Sequence, residues 1–195
     1  MNTRIASKAL AVILLLVVPP LHGPTWAQQP AETAAVERFH IAVNKYVSLH
    51  RQLERYLPPP IDFTDSREAE RSMRAMAEAL RRARPFVGEG NIFLGEIAIS
   101  IRGALASVVR NADPECQRAL GDVLAVPQLS VWSETVNDAF PWAMSRILPT
   151  YIEDALPVLP VELQYRIVGP DLVLIDLHAN LIVDILRDAL PEFTR

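Results

Sequence analysis

The residues most suggestive of chemistry lie near the C-terminus, in the stretch DLHANLIVD that spans residues 176–184. A histidine beside carboxylates is a common part of hydrolytic sites, because the imidazole transfers a proton and a carboxylate orients the ring. Such a site also needs an activated nucleophile. The chain has no G-x-S-x-G motif, the strand–turn–helix elbow that presents a catalytic serine. We therefore expect His178 and Asp176 to be structural, with a catalytic pair as the weaker alternative.

The residues before this stretch favour a β-hairpin. Apolar and polar residues alternate in ELQYRIVGPDLVLID, and Gly169-Pro170 at its centre suits a type II′ turn. This turn would pair Ile167 with Leu172, Tyr165 with Leu174, and Leu163 with Asp176.

After His178 the spacing of apolar residues becomes helical. The sequence therefore predicts a C-terminal helix, with Asp176 as its N-cap and with Asn180 and Asp184 on its solvated face. The apolar residues with helical spacing are Ile182, Ile185, Leu186 and Ala189.

Histidine spacing offers little support for a bound metal. Glu37-x-x-His40 matches half of the motif that di-iron helical bundles use, but no second copy occurs. The chain also lacks an H-E-x-x-H motif and paired cysteines. His50 falls on the apolar stripe of a predicted helix, where a core or boundary histidine is expected. We expect no metal and no other cofactor.

Carboxylates and aromatic residues suggest two further kinds of site. Glu89, Glu96 and the pair Glu153-Asp154 could supply a glycosidase-like acid and base, but no spacing selects two of them. Four aromatic residues near prolines could form a platform for a sugar or a peptide, although such side chains are more often core anchors. They are Trp132, Phe140, Trp142 and Tyr151.

The first 27 residues have the features of a cleaved secretory signal. Arg4 and Lys8 precede a short apolar run, and Thr25-Trp26-Ala27 places small residues where a signal peptidase cleaves. The run is shorter than the roughly 20 apolar residues of a membrane-spanning helix. We expect a mature chain of residues 28–195 in the periplasm or outside the cell, without a transmembrane segment. An uncleaved N-terminal anchor is the alternative.

Charge and cysteine content limit the partners. The chain has 19 basic and 23 acidic residues, and both charged residues of the predicted signal are basic, so the mature chain is acidic. An acidic chain lacks the basic footprint of nucleic-acid binding. Cys116 is the only cysteine, which excludes a disulfide within the chain. We expect it to be buried, while a disulfide between chains and the oligomeric state stay open.

Residues 28–195 are expected to form one α+β domain that is mainly helical. Asp65 and Glu68 have capping-box spacing at the start of the second helix, and Asp113-Pro114 begins the fourth. The third helix is apolar almost all round and is expected to be the most buried. An irregular segment rich in proline and aromatic residues, 126–160, precedes the hairpin. The first three helices are predicted at 33–57, 65–84 and 94–110.

The C-terminal stretch resembles a signature of a family of uncharacterised exported bacterial proteins. In that family a YRFVG-DL-L-D--ANLIVD pattern follows a proline-rich lead-in, and RARPFVGEGNIF is similar more weakly. This chain differs by Pro170 in the turn and His178 before Ala179. The resemblance implies an exported bacterial domain and assigns no activity and no site residue. The matching residues are Tyr165, Arg166, Val168, Gly169, Asp171, Leu172, Asp176, Ala179, Asn180 and 181–184.

Two functions stay open. The first is a non-enzymatic domain that binds a protein, a peptide or another component of the cell envelope, which the export signal, the acidic charge and the missing catalytic motifs favour. The second is a small envelope hydrolase that uses carboxylates or His178. Convergence of Asp176, His178, Glu89 and Glu96 in one cleft would favour the hydrolase.

Overall fold

The structure, a computed structural model, describes residues 28–57, 66–124 and 133–191. The predicted signal peptide, the Asp65 cap and Trp132 lie outside these residues. No helix in the described ranges is both long enough and apolar enough to cross a membrane. In chain order the elements are α1 (Gln28–Glu54), α2 (Ser66–Ala83), α3 (Gly95–Asn111), α4 (Pro114–Leu124), a 3-10 helix (Trp142–Met144), α5 (Thr150–Glu153), β1 (Leu163–Val168), β2 (Asp171–Asp176) and β3 (Leu181–Leu186).

The fold class is α+β and mainly helical, as predicted. Four N-terminal helices are present, although α1 begins and ends a few residues earlier than its apolar stripe suggests. Asp113 caps α4 as predicted, because its Oδ1 accepts hydrogen bonds from the backbone N–H groups of Glu115 and Cys116 at 2.9 and 3.0 Å.

The hairpin of β1 and β2 is confirmed residue by residue. Its antiparallel register pairs Leu163 with Asp176 and Ile167 with Leu172. Gly169 has a φ of 56°, the left-handed conformation that the first central position of a type II′ turn requires. A glycine adopts this conformation without the Cβ clash that other residues suffer.

The predicted C-terminal helix is wrong, because residues 181–186 form a third antiparallel strand, β3, beside β2. The pairing slips between Leu174 and Ile175, so that Val183 is an extra residue in β3. This bulge places Ile182 and Ile185 in the same apolar cluster. Their spacing of three residues imitates a helix, although the strand itself is extended.

The sheet is covered on both faces. One face packs into the main core with α1, α2 and α3, and the other packs on Phe140 from the irregular segment before α5. Every residue of β2 and β3 is buried. Strands buried on both faces read as continuous apolar runs, which periodicity alone does not separate from a helix.

Helix α3 packs on one side and is solvated on the other. Ile101 is 2% exposed, as its predicted core position requires, but Ile99 is 71% exposed. Glu96 forms a salt bridge with Arg38 of α1 on the exposed side. The prediction that α3 has no solvated face beyond its charged residues is therefore wrong.

Candidate functional site

Asp176 is the last residue of β2, and it is fully buried. Its Oδ2 accepts a hydrogen bond from the Tyr46 hydroxyl at 2.8 Å and lies 2.6 Å from Nδ1 of His50. Its Oδ1 accepts a hydrogen bond from the backbone N–H of Ala179 at 2.8 Å. The predicted helix N-cap is wrong. The carboxylate instead joins α1 to the turn between β2 and β3.

This contact sets the tautomer of His50. An ionised carboxylate accepts hydrogen bonds and does not donate them, so Nδ1 of His50 carries the proton that it shares with Asp176. In the neutral ring, Nε2 then keeps its lone pair and faces away from Asp176. That nitrogen lies 3.9 Å from Oε2 of Glu54.

His178 approaches the same glutamate from the other side. Its Nδ1 lies 3.2 Å from Oε1 of Glu54, and its Nε2 lies 3.0 Å from the Ser72 hydroxyl oxygen. The rings of His50 and His178 meet edge to face, with centroids 5.9 Å apart. The Glu54 carboxylate thus stands between two imidazole rings.

Three elements bring these side chains together. His50 and Glu54 share one face at the end of α1, because residues four apart in a helix are neighbours. Ser72 belongs to α2, and His178 belongs to the turn of residues 177–180. One ring nitrogen from each of His50 and His178 and a carboxylate oxygen of Glu54 all lie within 4.8 Å of one another, an arrangement that could hold a metal ion. These three residues are called the histidine–glutamate cluster below.

Acidic groups surround the cluster. Burial by itself would lower the pKa of His50, but its hydrogen bond to Asp176, the Asp176 charge and two nearby glutamates raise it above the ordinary value. The glutamates are Glu54 and Glu162. Glu162 receives a 2.5 Å hydrogen bond from Arg51, and this bond lowers the pKa of Glu162.

A second buried carboxylate, Asp184, lies in β3. It accepts hydrogen bonds from the backbone N–H groups of Gly90, Ile92, Phe93 and Ile185, at 2.6–2.8 Å. Burial raises its pKa, and these hydrogen bonds oppose the rise. The prediction that Asp184 lies on a solvated helix face is wrong. Its contacts tie β3 to the loop before α3.

Arg84 connects the surroundings of the two buried carboxylates. Its guanidinium lies 4.8 Å from the centre of the Tyr46 ring, and Nη2 donates a 3.1 Å hydrogen bond to the Val183 carbonyl. Burial and the neighbouring Asp176 carboxylate raise the pKa of Tyr46, so its hydroxyl stays neutral and keeps donating. Asp176 therefore has at least one donor, the Tyr46 hydroxyl, that carries no charge.

The other predicted carboxylates lie elsewhere. Glu89 pairs with Arg187 at 2.6 Å, and Glu96 pairs with Arg38. Glu153 and Asp154 line a separate cavity of about 400 Å³ beside β1. Of the four residues proposed to converge, Asp176 contacts His50 and His178 contacts Glu54, while Glu89 and Glu96 lie in separate ion pairs.

The predicted aromatic residues do not form a shared platform in the part of the chain that is described. Phe140 is buried in the core, and Tyr151 is half-buried with its hydroxyl 3.4 Å from the Cys116 carbonyl. Trp142 is 45% exposed and contacts the Phe140 ring edge to face. The exposed Trp142 therefore packs on the buried Phe140. Trp132 lies outside the described residues.

Comparison with known proteins found no match that bears on the site. No protein-family model, curated protein or solved structure matches this chain. The resemblance of the C-terminal stretch to a family of exported bacterial proteins therefore stays a prediction.

Sequence reasoning missed His50 and Glu54 as site residues. Their signal is present as His50-x-x-x-Glu54, the spacing of two neighbours on one helix face. Read alone, this spacing looks like an ordinary ion pair on a helix. Only the fold shows that His178 meets them, because the third residue comes from a distant turn.

Proposed function

We propose that the chain is an exported, non-enzymatic binding domain of the cell envelope, and that it binds a cationic ligand at the histidine–glutamate cluster. The observation that carries the proposal is the convergence of two imidazole nitrogens and one carboxylate within 4.8 Å. The Glu54 side chain is 51% exposed, so a ligand reaches the cluster from solvent.

The charge balance around the cluster favours a cation. The carboxylates of Asp176, Glu54 and Glu162 surround His50, and the Arg51 guanidinium pairs with Glu162. The charge of Asp176 is poorly screened because this group is fully buried. Arg84 also interacts with the Asp176 charge and partly offsets it, so the cluster keeps the negative charge of Glu54 when both histidines are neutral.

A hydrolase is the second candidate, and one observation favours it. Ser72, His178 and Glu54 are arranged as hydroxyl, imidazole and carboxylate, at 3.0 and 3.2 Å. Ser72, however, lies within α2 rather than on an elbow, and the N–H groups of a helix interior are engaged in the helix. These groups do not supply the oxyanion donors that acyl transfer requires.

The binding proposal is tested by titrating the full chain with spermidine and Mg²⁺, with succinate as an anionic probe. The ring resonances of His50 and His178 are expected to move with the cations and not with succinate. Glu54→Gln should weaken the response, whereas Glu37→Gln, on the same helix, should not. A response to succinate alone, or no response to spermidine, to Mg²⁺ or to Zn²⁺ added as a third cation, would contradict cation binding.

The hydrolase alternative has its own test. The full chain is incubated with a fluorophosphonate and with a panel of esters, peptides and glycans. We expect no covalent adduct on Ser72 and no turnover. An adduct that forms at Ser72 and disappears in His178→Ala would establish the hydrolase and end the non-enzymatic proposal.

Export is tested by N-terminal sequencing of the protein from its native host. A mature N-terminus at or near Gln28 is expected, since Thr25-Trp26-Ala27 precedes it. A full-length chain found in the cytoplasm would contradict this part of the proposal.

A further inference from the structure

We infer that the ligand of the histidine–glutamate cluster is a divalent transition-metal ion of the zinc type. Its ligands would be Nε2 of His50, a carboxylate oxygen of Glu54 and Nδ1 of His178. This inference rests on the proposed function and names the chemical class of the ligand.

The spacing of the three groups is close to that of a metal site. Zinc binds imidazole nitrogen and carboxylate oxygen at about 2.0–2.2 Å, which places neighbouring ligands of a tetrahedral site about 3.3 Å apart. Here Oε1 of Glu54 lies 3.2 Å from Nδ1 of His178, and Oε2 of Glu54 lies 3.9 Å from Nε2 of His50. A small rotation of the half-exposed Glu54 side chain would bring its oxygen into range of both rings.

His50 has the outer partner that metal-binding histidines usually have. Such a histidine almost always donates its other ring N–H to a carboxylate, a carbonyl or a water molecule, which fixes the ring and its tautomer. The buried Asp176 accepts from Nδ1 of His50 at 2.6 Å. Nε2 is therefore the nitrogen that is free to bind a metal.

His178 has a matching arrangement with the opposite nitrogen. Its Nε2 lies 3.0 Å from the Ser72 hydroxyl, which can donate to a bare Nε2 or accept from a protonated one, according to the tautomer. When an ion binds Nδ1, the ring proton is on Nε2 and Ser72 accepts it in a hydrogen bond. Each ring thus has one nitrogen engaged by a polar partner and the other directed to a common position.

Asp176 also fixes the two histidines relative to each other. One carboxylate oxygen holds His50, and the other accepts the Ala179 N–H, which anchors the turn that carries His178. Both ligands are thereby positioned by a single buried group. This pre-organisation reduces the conformational cost of binding an ion.

Without a metal ion the three groups are joined only in part. Nδ1–H of His178 can donate to Oε1 of Glu54 at 3.2 Å, with the Ser72 hydroxyl donating to Nε2. Nε2 of His50 lies 3.9 Å from Oε2 of Glu54, beyond hydrogen-bond distance. A metal ion would use all three donors at once.

The donor set selects the class of metal. Two imidazole nitrogens with one carboxylate suit zinc and its neighbours, while magnesium and calcium prefer oxygen ligands throughout. Three protein ligands leave a tetrahedral ion with one position for water or an exchangeable ligand.

The experiment is a calorimetric titration of the metal-depleted full chain, purified without a histidine tag, with Zn²⁺. Co²⁺ absorption in parallel reports tetrahedral coordination. One ion per chain is expected. Glu54→Gln and His178→Ala should weaken binding by at least the roughly 10–100-fold that loss of an outer partner costs. Glu37→Gln and His40→Ala are the matched controls, and both should bind as the wild type does.

The two ligand variants alter partly exposed side chains, so their folding is checked by circular dichroism. His50→Ala is avoided because it would remove one of the three donors that hold the buried Asp176 and so destabilise the fold. An unaltered Zn²⁺ affinity in either ligand variant, or no binding by the wild type, would overturn the inference. If Zn²⁺ binding fails this test but Mg²⁺ or spermidine still moves the ring resonances, the zinc inference is wrong and the proposed function stands. If no cation binds, the zinc inference and the proposed function both fail.

Discussion

The two hairpins of the sheet share strand β2 but differ in how they are built. The hairpin of β1 and β2 has a two-residue turn with glycine at a positive φ, and its register is unbroken. The hairpin of β2 and β3 has a four-residue turn at 177–180, a bulge, and two fully buried aspartates. The first follows local rules, and the second depends on distant contacts.

This difference supports the proposed location of the site in the second hairpin. A segment that departs from local sequence rules needs support from other elements, and such departures cluster at functional sites. In the second hairpin, Asp176 is held by α1, and Asp184 is held by the loop before α3. The same hairpin carries His178 to the cluster. The first hairpin contributes the scaffold.

The largest expected effect is at Asp184. In Asp184→Asn the amide group would face backbone N–H groups that now donate to a carboxylate, and buried Arg84 would lose a nearby negative charge. We expect a loss of at least about 3 kcal/mol in the free energy of unfolding, measured with urea. Asp188→Asn, at an exposed position, should change it by less than about 0.5 kcal/mol. Similar stabilities for the two variants would contradict the claim that the second hairpin depends on distant contacts.

The next effect is at Asp176. In Asp176→Asn only one end of the side chain can accept hydrogen bonds. Either Ala179 or the pair Tyr46 and His50 therefore loses its acceptor. We expect a loss of about 1–3 kcal/mol in unfolding free energy. Zn²⁺ affinity should also fall by about 10–100-fold. A destabilised variant with wild-type Zn²⁺ affinity would mean that Asp176 supports the fold without positioning the site.

The first hairpin offers a smaller, purely local effect. Gly169→Ala places a Cβ in open space, with nothing within 4 Å, so only the strain of the positive φ counts. That strain is worth about 1–2 kcal/mol. Thermal or urea unfolding should show this loss, while Zn²⁺ affinity stays as in the wild type. A change in affinity would show that the two hairpins are coupled.

The same contrast explains which features the sequence predicts. The turn at Gly169, the register of β1 with β2 and the Asp113 cap depend on residues within a few positions of one another. The sequence of the third strand predicts a helix because its bulge spaces Ile182 and Ile185 by three residues. The site depends on Tyr46 and His50 meeting Asp176 across the whole domain. Periodicity along the chain carries no information about such a contact.

The smallest stability effect is expected at His178. In the metal-depleted chain, His178→Ala removes a half-buried turn side chain and should cost less than about 0.5 kcal/mol. Zn²⁺ should raise the melting temperature of the wild type, because an ion that binds only the folded chain stabilises it by mass action. The variant should show no such rise. An equal rise in both proteins would place the ion elsewhere.

The central claim is that α1 and the turn between β2 and β3 form one site from two oriented histidines. The most direct measurement is long-range ¹⁵N–¹H NMR of the histidine rings, recorded before and after Zn²⁺. Before Zn²⁺, the neutral ring of His50 should be protonated on Nδ1, where it donates to Asp176. After Zn²⁺, Nε2 of His50 and Nδ1 of His178 should shift together while His40 stays unchanged. A neutral His50 protonated on Nε2, or a shift confined to one of the two rings, would contradict the account.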